Sequence, residues 1–290
     1  MRSRLAAKPF WENSNPMSKL PAEHTFLDLS DYGRAPARWI AHAFKDTAIT
    51  PIHVTLMFIL AGAVAILCIL SEQLWLAAFF LILKSILDAA DGELARVKET
   101  PSYTGRYFDS VSDIILNFFF LCSISYITQG ALLWVVIAFV AMQLQGTLYN
   151  YYYVILRNKF DGDKTSRIFE DKPPVALPGE KQSTVDIWFW IYNGCYSAFD
   201  KAIYLLDRHA EHGQYFPKWF MTTVSAFGLG FQLLIISVML CLGLAAYIIA
   251  FFIGYSILIL IFIAIRKYLN RSRTGNELSA ISLGRNSDEF

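Results

Sequence analysis

Residues 88–113 read DAADGELARVKETPSYTGRYFDSVSD. Asp88 and Asp91 stand three apart, Gly92, Ala95 and Arg96 follow, and after eight residues come Gly105, Asp109 and Asp113. Helical neighbours three and four apart share a face, so Asp88, Asp91 and Ala95 line one side of one helix and Asp109 and Asp113 one side of the next. The flanking runs, LWLAAFFLILKSIL before and IILNFFFLCSISYI after, are of the kind that sits in lipid. An ionisable side chain there costs about 2.5–3.5 kcal/mol on insertion scales. Four carboxylates in such a place need a compensating partner, and hard oxygen ligands suit magnesium, calcium or manganese. Two such ions about 4 Å apart can clamp a diphosphate.

The rest of the chain agrees with a membrane setting. Of 290 residues, 55% are hydrophobic and 17% charged, with a net charge of +1, which excludes a soluble globule once the apolar residues fall in long runs. Cys68, Cys122, Cys195 and Cys241 lie singly in apolar segments and read as packing thiols, not as a disulfide framework or a zinc site. The N-terminus lacks the apolar core of a signal peptide, so the first span is expected to act as its own insertion signal.

Residues 1–33 are polar, contain Pro9, Pro16 and Pro21, and read as a loosely ordered cytosolic arm. The run RAPARWIAHAFKD from Arg34 predicts a short interfacial amphipathic helix with Arg38 and Lys45 reaching toward headgroups. Pro51 opens the first apolar run long enough to cross a bilayer. Further spans are expected at 73–94, 107–127, 131–154, 219–240 and 245–265, making an all-α integral membrane protein of six transmembrane helices. Lys84 is the one basic residue inside them, and its place four residues before Asp88 suits either pairing with the acids or snorkelling to the surface. Residues 34–268 then form the membrane domain, with a cytosolic or interfacial insertion at 157–217 and a cytosolic tail at 269–290.

The remaining basic residues cluster ahead of the first span, at 95–106, at 157–218 and in the tail. By the positive-inside rule both termini and the aspartates are cytoplasmic, in a bacterial cell at the inner membrane. Segment 184–207 carries Asn193, Asp200 and Lys201. Its apolar residues Trp188, Ile191, Cys195, Phe199 and Leu206 recur at helical spacing, which predicts a helix lying in the interface.

The pattern D-x-x-D-G-x-x-A-R, eight residues, G-x-x-x-D-x-x-x-D resembles that of the CDP-alcohol phosphotransferases (CDP-alcohol phosphatidyltransferases, class I), and every defining position is present. TPIHVT at 50–55 also resembles that family's TPNxVT, with Ile52 where asparagine is common. The resemblance implies transfer of a phosphoryl-alcohol group, here phosphatidyl from CDP-diacylglycerol, to a small polar hydroxyl acceptor with release of CMP in phospholipid synthesis. It implies Mg2+ or Mn2+, with two divalent ions, on Asp88, Asp91, Asp109 and Asp113. Asp113 is then also the general base. Thr55, Gly92, Ala95, Arg96 and Gly105 are implied as CDP contacts, and a homodimer as the assembly.

For the acceptor, Arg157, Lys164 and Arg167 are candidates if it carries a phosphate; they serve equally well as anchors to anionic lipid. Gln143, Gln145 and Asn150 either bind a polar acceptor or bond between helices. The alternatives are CDP-choline or CDP-ethanolamine as donor to diacylglycerol, and a cation transporter using the intramembrane acids. No nucleic-acid partner is expected.

Overall fold

A computed structural model describes residues 20–160, 171–213 and 215–271. These form ten helices with no strand among the described residues: α1 Arg34–Phe44, α2 Pro51–Leu70, α3 Leu74–Val97, α4 Tyr103–Ile127, α5 Leu132–Lys159, α6 Gln182–Leu206, α7 Ala210–Gly213, α8 Lys218–Val224, α9 Leu229–Cys241 and α10 Ile248–Tyr255. Residues 257–271 carry the last of them onward as further helix.

Local chemistry explains where the helices start. At α2, Pro51 occupies the first turn, the Thr50 side chain accepts from the backbone of His53, and the His53 ring accepts from Thr50 N at 3.0 Å, so the histidine serves as half of a capping box. At α4, Ser102 Oγ accepts from Gly105 N at 2.8 Å. The short turns after α2, α4 and α9 each place one residue, Glu72, Gln129 or Gly243, in the left-handed region.

Pro51–Leu70, Tyr103–Ile127, Leu132–Lys159 and Ala245–Arg271 are long and apolar enough to cross a membrane. The expected span at 219–240 is broken: its two arms meet at 56° on either side of Gly228, and only together do they make a fifth. The expected span at 73–94 is a helix of 24 residues, α3, but Lys84, Asp88, Asp91, Glu93 and Arg96 take it out of the purely apolar class. By length and composition four helices among the described residues qualify, or five with the bent pair, against the six expected.

The N-terminal arm is not loose from Leu20 onward. Leu20 is buried, and Leu29–Asp31 forms a single 3-10 turn wedged against the break before α9. Leu29 N donates to Ser225 Oγ at 2.8 Å, and Gly230 N donates to Ser30 Oγ at 3.1 Å. Ser30 fills the space that a side chain at Gly228 or Gly230 would need. Irregular backbone inside an apolar bundle persists where such partners or a cavity satisfy it.

Helix α6 packs on α4 and α5. Ahead of it, Glu180 accepts from Ser102 Oγ, Thr104 N and Tyr103 N at the start of α4. Just past its end, Asp207 accepts from Tyr152 Oη in the last turns of α5 at 2.7 Å and pairs with Arg266. Since α4 and α5 are antiparallel neighbours, both ends of α6 meet the same end of the bundle.

Of the apolar positions on α6 that the periodicity picks out, Trp188, Cys195 and Phe199 are half-buried and Ile191 and Leu206 exposed. Val185, Phe189 and Ile203 are the buried positions, while Ile187, Ile191, Trp190 (59%) and Leu205 (66%) point outward. Helix α1 has Ala37 and Ala41 buried and Trp39 exposed.

Candidate active site

Three helices bring the acids together. α2 and α4 approach closely at Gly62, where a Cβ would stand 2.7 Å from Leu116 Cδ1. α3 packs on α2, so the last turns of α3 meet the first turns of α4. One carboxyl oxygen from each of Asp88, Asp91 and Asp109 lies within 4.8 Å of the others. Thr55 Oγ1 on α2 donates to Asp91 Oδ2 at 2.6 Å, which fixes that carboxylate. Asp109 Oδ1 is buried and finds no hydrogen-bond partner among the described residues. A convergent all-oxygen set with an orphaned carboxylate oxygen fits a hard divalent cation.

Asp113 stands apart from that trio. Its Oδ1 accepts from Lys84 Nζ, and the same ammonium donates to Asp88 Oδ2 at 2.8 Å. Lys84 is 0% exposed and its ammonium lies 4.5 Å from the centre of the Phe58 ring. The suggested pairing of Lys84 with the acids is thus present, and it engages both helices.

Asp88, Asp109 and Asp113 border a cavity of about 420 Å³. Its other walls come from the Asp28–Arg34 segment, from Gln143 and Asn150 on α5, from Arg106, from Tyr192, Tyr196 and Asp200 on α6, and from the backbone at Gly228 and Gly230. Tyr196 Oη donates to Ser110 O at 2.7 Å, which seats α6 over the first turns of α4.

A model of the CDP-alcohol phosphatidyltransferase family matches residues 48–172, the stretch that carries all four aspartates. Residues 48–172 are thus similar to the CDP-alcohol phosphatidyltransferase domain. Over 138 residues the chain is 32% identical to the Bifunctional IPC transferase and DIPP synthase of Thermococcus kodakarensis, an alignment covering 47% of this chain and 31% of that protein. The chain therefore matches about a third of its relative's length.

Within the matched region the expected nucleotide contacts, Thr55, Gly92, Ala95, Arg96 and Gly105, are not among the cavity's lining residues. Thr55 faces Asp91, and Arg96 pairs with the buried Glu93 at 3.0 Å. Gly92 is open except toward the Arg96 guanidinium at 3.8 Å. Gly105 has a local reason as well, since a Cβ there would press on Ser102 Oγ at 3.2 Å.

Of the acceptor candidates, Arg157 is buried with its guanidinium over Tyr153 at 5.0 Å and is not among the cavity's lining residues. Lys164 and Arg167 lie outside the described residues. Gln145 bonds across helices, to Phe252 O and Gln232, whereas Gln143 and Asn150 face the cavity.

The sequence reading missed Ser30, Arg34 and Arg106. It also missed Tyr192, Tyr196 and Asp200, although their spacing of four marks a single helix face.

Proposed function

We propose that this chain transfers the phosphoryl-alcohol group of a CDP-alcohol, CDP-diacylglycerol by preference, to a small polar alcohol. The acceptor oxygen bonds to the phosphorus that carries the donor alcohol, the bond from that phosphorus to the bridging oxygen breaks, and CMP leaves with the bridging oxygen. The acceptor's hydroxyl proton passes to the Asp113 carboxylate. The observation that carries this reading is the meeting of Asp88, Asp91 and Asp109 from two helices beside a cavity that Asp113 also faces.

Asp88, Asp91 and Asp109 would hold a divalent ion, Mg2+ or Mn2+, whose charge supports the diphosphate and the leaving oxygen. Thr55 orients Asp91, and Lys84 holds Asp113 in place. The open strip along Gly92 and Ala95, with Arg96 beside it, suits a nucleotide diphosphate approaching from the side away from the cavity. The cavity, with Gln143, Asn150 and the α6 tyrosines, suits the acceptor. Helix α6 would keep water from the reacting atoms.

We infer further that α3, about 36 Å long at 1.5 Å per residue, also crosses the membrane. Its acids would reach the cytosolic end, since Val97 closes the helix only six residues after Asp91. A cation transporter would instead set its acids near the bilayer midplane. The test is CMP release by purified protein from CDP-diacylglycerol, CDP-choline and CDP-ethanolamine with a panel of small alcohols. Release from no CDP-alcohol overturns the reading; release only from the choline or ethanolamine donors, with diacylglycerol as acceptor, reverses donor and acceptor.

A further inference from the structure

Lys84 is the feature that a carboxylate-only view of the site leaves unexplained. Its side chain is long enough to snorkel toward headgroups, as lysines near helix ends do. Instead it is wholly buried and turned inward onto Asp88 of its own helix and Asp113 of α4, with the Phe58 ring against its ammonium. The carboxyl oxygens divide accordingly. Asp88, Asp91 and Asp109 converge on one point, and Asp113 lies outside that group, bonded to the lysine.

We propose that the Lys84 ammonium occupies the place from which a second metal ion would bind Asp113, so that the site takes a single divalent ion on Asp88, Asp91 and Asp109. The inference rests on the metal-site reading above and departs from the expectation of two ions. The physical reason is proximity. A metal–oxygen bond is about 2.1 Å and an ammonium–carboxylate bond about 2.8 Å, so an ion sharing an Asp113 oxygen with Nζ would lie less than about 5 Å from a fixed positive charge. The same ammonium also touches Asp88, but an ion on the trio has three carboxylates to offset that repulsion, whereas a second ion on Asp113 would meet a carboxylate already paired with the lysine. The fixed ammonium would then supply the second positive charge, and because it is covalently attached it also sets the direction of the Asp113 carboxylate. Lys84 is in these terms a positioning residue.

The measurement is an ion count. Full-length protein in detergent is stripped with EDTA and titrated with Mn2+, and free Mn2+ is followed by electron paramagnetic resonance. The expected result is one bound ion per wild-type chain and two in Lys84→Met. Lys84→Arg, which keeps a cation, is expected to stay at one. No ion or two ions on the wild-type chain overturns the proposal, and this count needs no variant to fold. One ion on folded Lys84→Met also overturns it. CMP release is measured on the same samples: an ion count of one without CMP release from any CDP-alcohol removes the transferase reading while leaving the single-ion site standing.

Discussion

Two clusters of buried charge sit in this bundle, and they are built on opposite plans. At the far end of α6, Asp207 and Arg266, 1% and 2% exposed, pair with each other, and Tyr152 donates its hydroxyl to the same carboxylate. Tyr151 Oη donates to the Asp207 carbonyl at 3.2 Å. Acid and base are matched one to one, with only Arg266 Nε lacking a hydrogen-bond partner among the described residues. Between α3 and α4, one ammonium bonds two of four carboxylates, three of the four converge, and Asp109 has an oxygen with no hydrogen-bond partner among the described residues. Asp91 and Asp113 are buried and Asp88 and Asp109 half-buried, so burial alone does not separate structure from function. The surplus of charge does: a closed pair stabilises a fold, while an unbalanced one waits for a ligand.

The sharpest way to break the comparison is to remove one charge from each cluster. Asp113→Asn should lower CMP release by about 10²–10⁴-fold, the range for loss of a general base, while leaving the protein folded. Retained turnover in the folded variant would remove Asp113 from its assigned role. Asp207→Ala or Arg266→Met should do the reverse. Each leaves an uncompensated buried charge and costs about 3–5 kcal/mol of stability, while CMP release per folded chain stays unchanged. The double variant Asp207→Leu with Arg266→Met should recover most of that loss, measured by unfolding in detergent.

The unbalanced cluster was legible in the sequence and the balanced one was not, for a physical reason. Asp88, Asp91, Asp109 and Asp113 are spaced by helical geometry within 26 residues, so periodicity alone places them on facing helices. Asp207, Arg266 and Tyr152 belong to three distant elements, and no local rule connects them. The same limit hid the wedge of Leu29–Asp31 in the break at Gly228. Hydropathy sees one continuous apolar run through FGLGFQLL and cannot register a bend whose partners come from nearly two hundred residues upstream. On α6, periodicity finds the helix but not what covers each face: Trp190 and Leu205 stay exposed, and Tyr192, Tyr196 and Asp200 line the polar cavity.

A ligand sharpens the contrast further. At one hundred times its dissociation constant, Mn2+ should stabilise the wild-type chain by about 2.7 kcal/mol through mass action. Asp91→Asn should lose that gain, and the Asp207→Ala variant should keep it in full on top of its lower baseline. Thermal unfolding with and without the ion checks both. A gain that survives in Asp91→Asn would mean that the ion binds elsewhere.

The smallest effect belongs to a third carboxylate, Glu180, which anchors the start of α6 as Asp207 anchors its end. Burial pushes its carboxyl up, but the Thr104 and Tyr103 N–H groups and the Ser102 hydroxyl outweigh it and hold the group below its ordinary value of 4.5. An acid held low in the folded state contributes stability that is fully present above the unfolded value, and that contribution fades as pH falls through the lower folded one. The window therefore lies at and below about pH 4.5, away from neutrality. Glu180 is partly exposed, so after solvent screening the contribution is about 1 kcal/mol or less, on the scale of a helix cap. Glu180→Gln should lower stability by that amount at pH 7 and flatten its fall on acidification, leaving the Asp207 anchor unchanged. If the acid slope is the same with and without Glu180, the bonds at the start of α4 do not carry the charge of this residue, and α6 is held there by ring packing such as Tyr107 on Phe189 and Tyr192 and by the Tyr196 bond to Ser110.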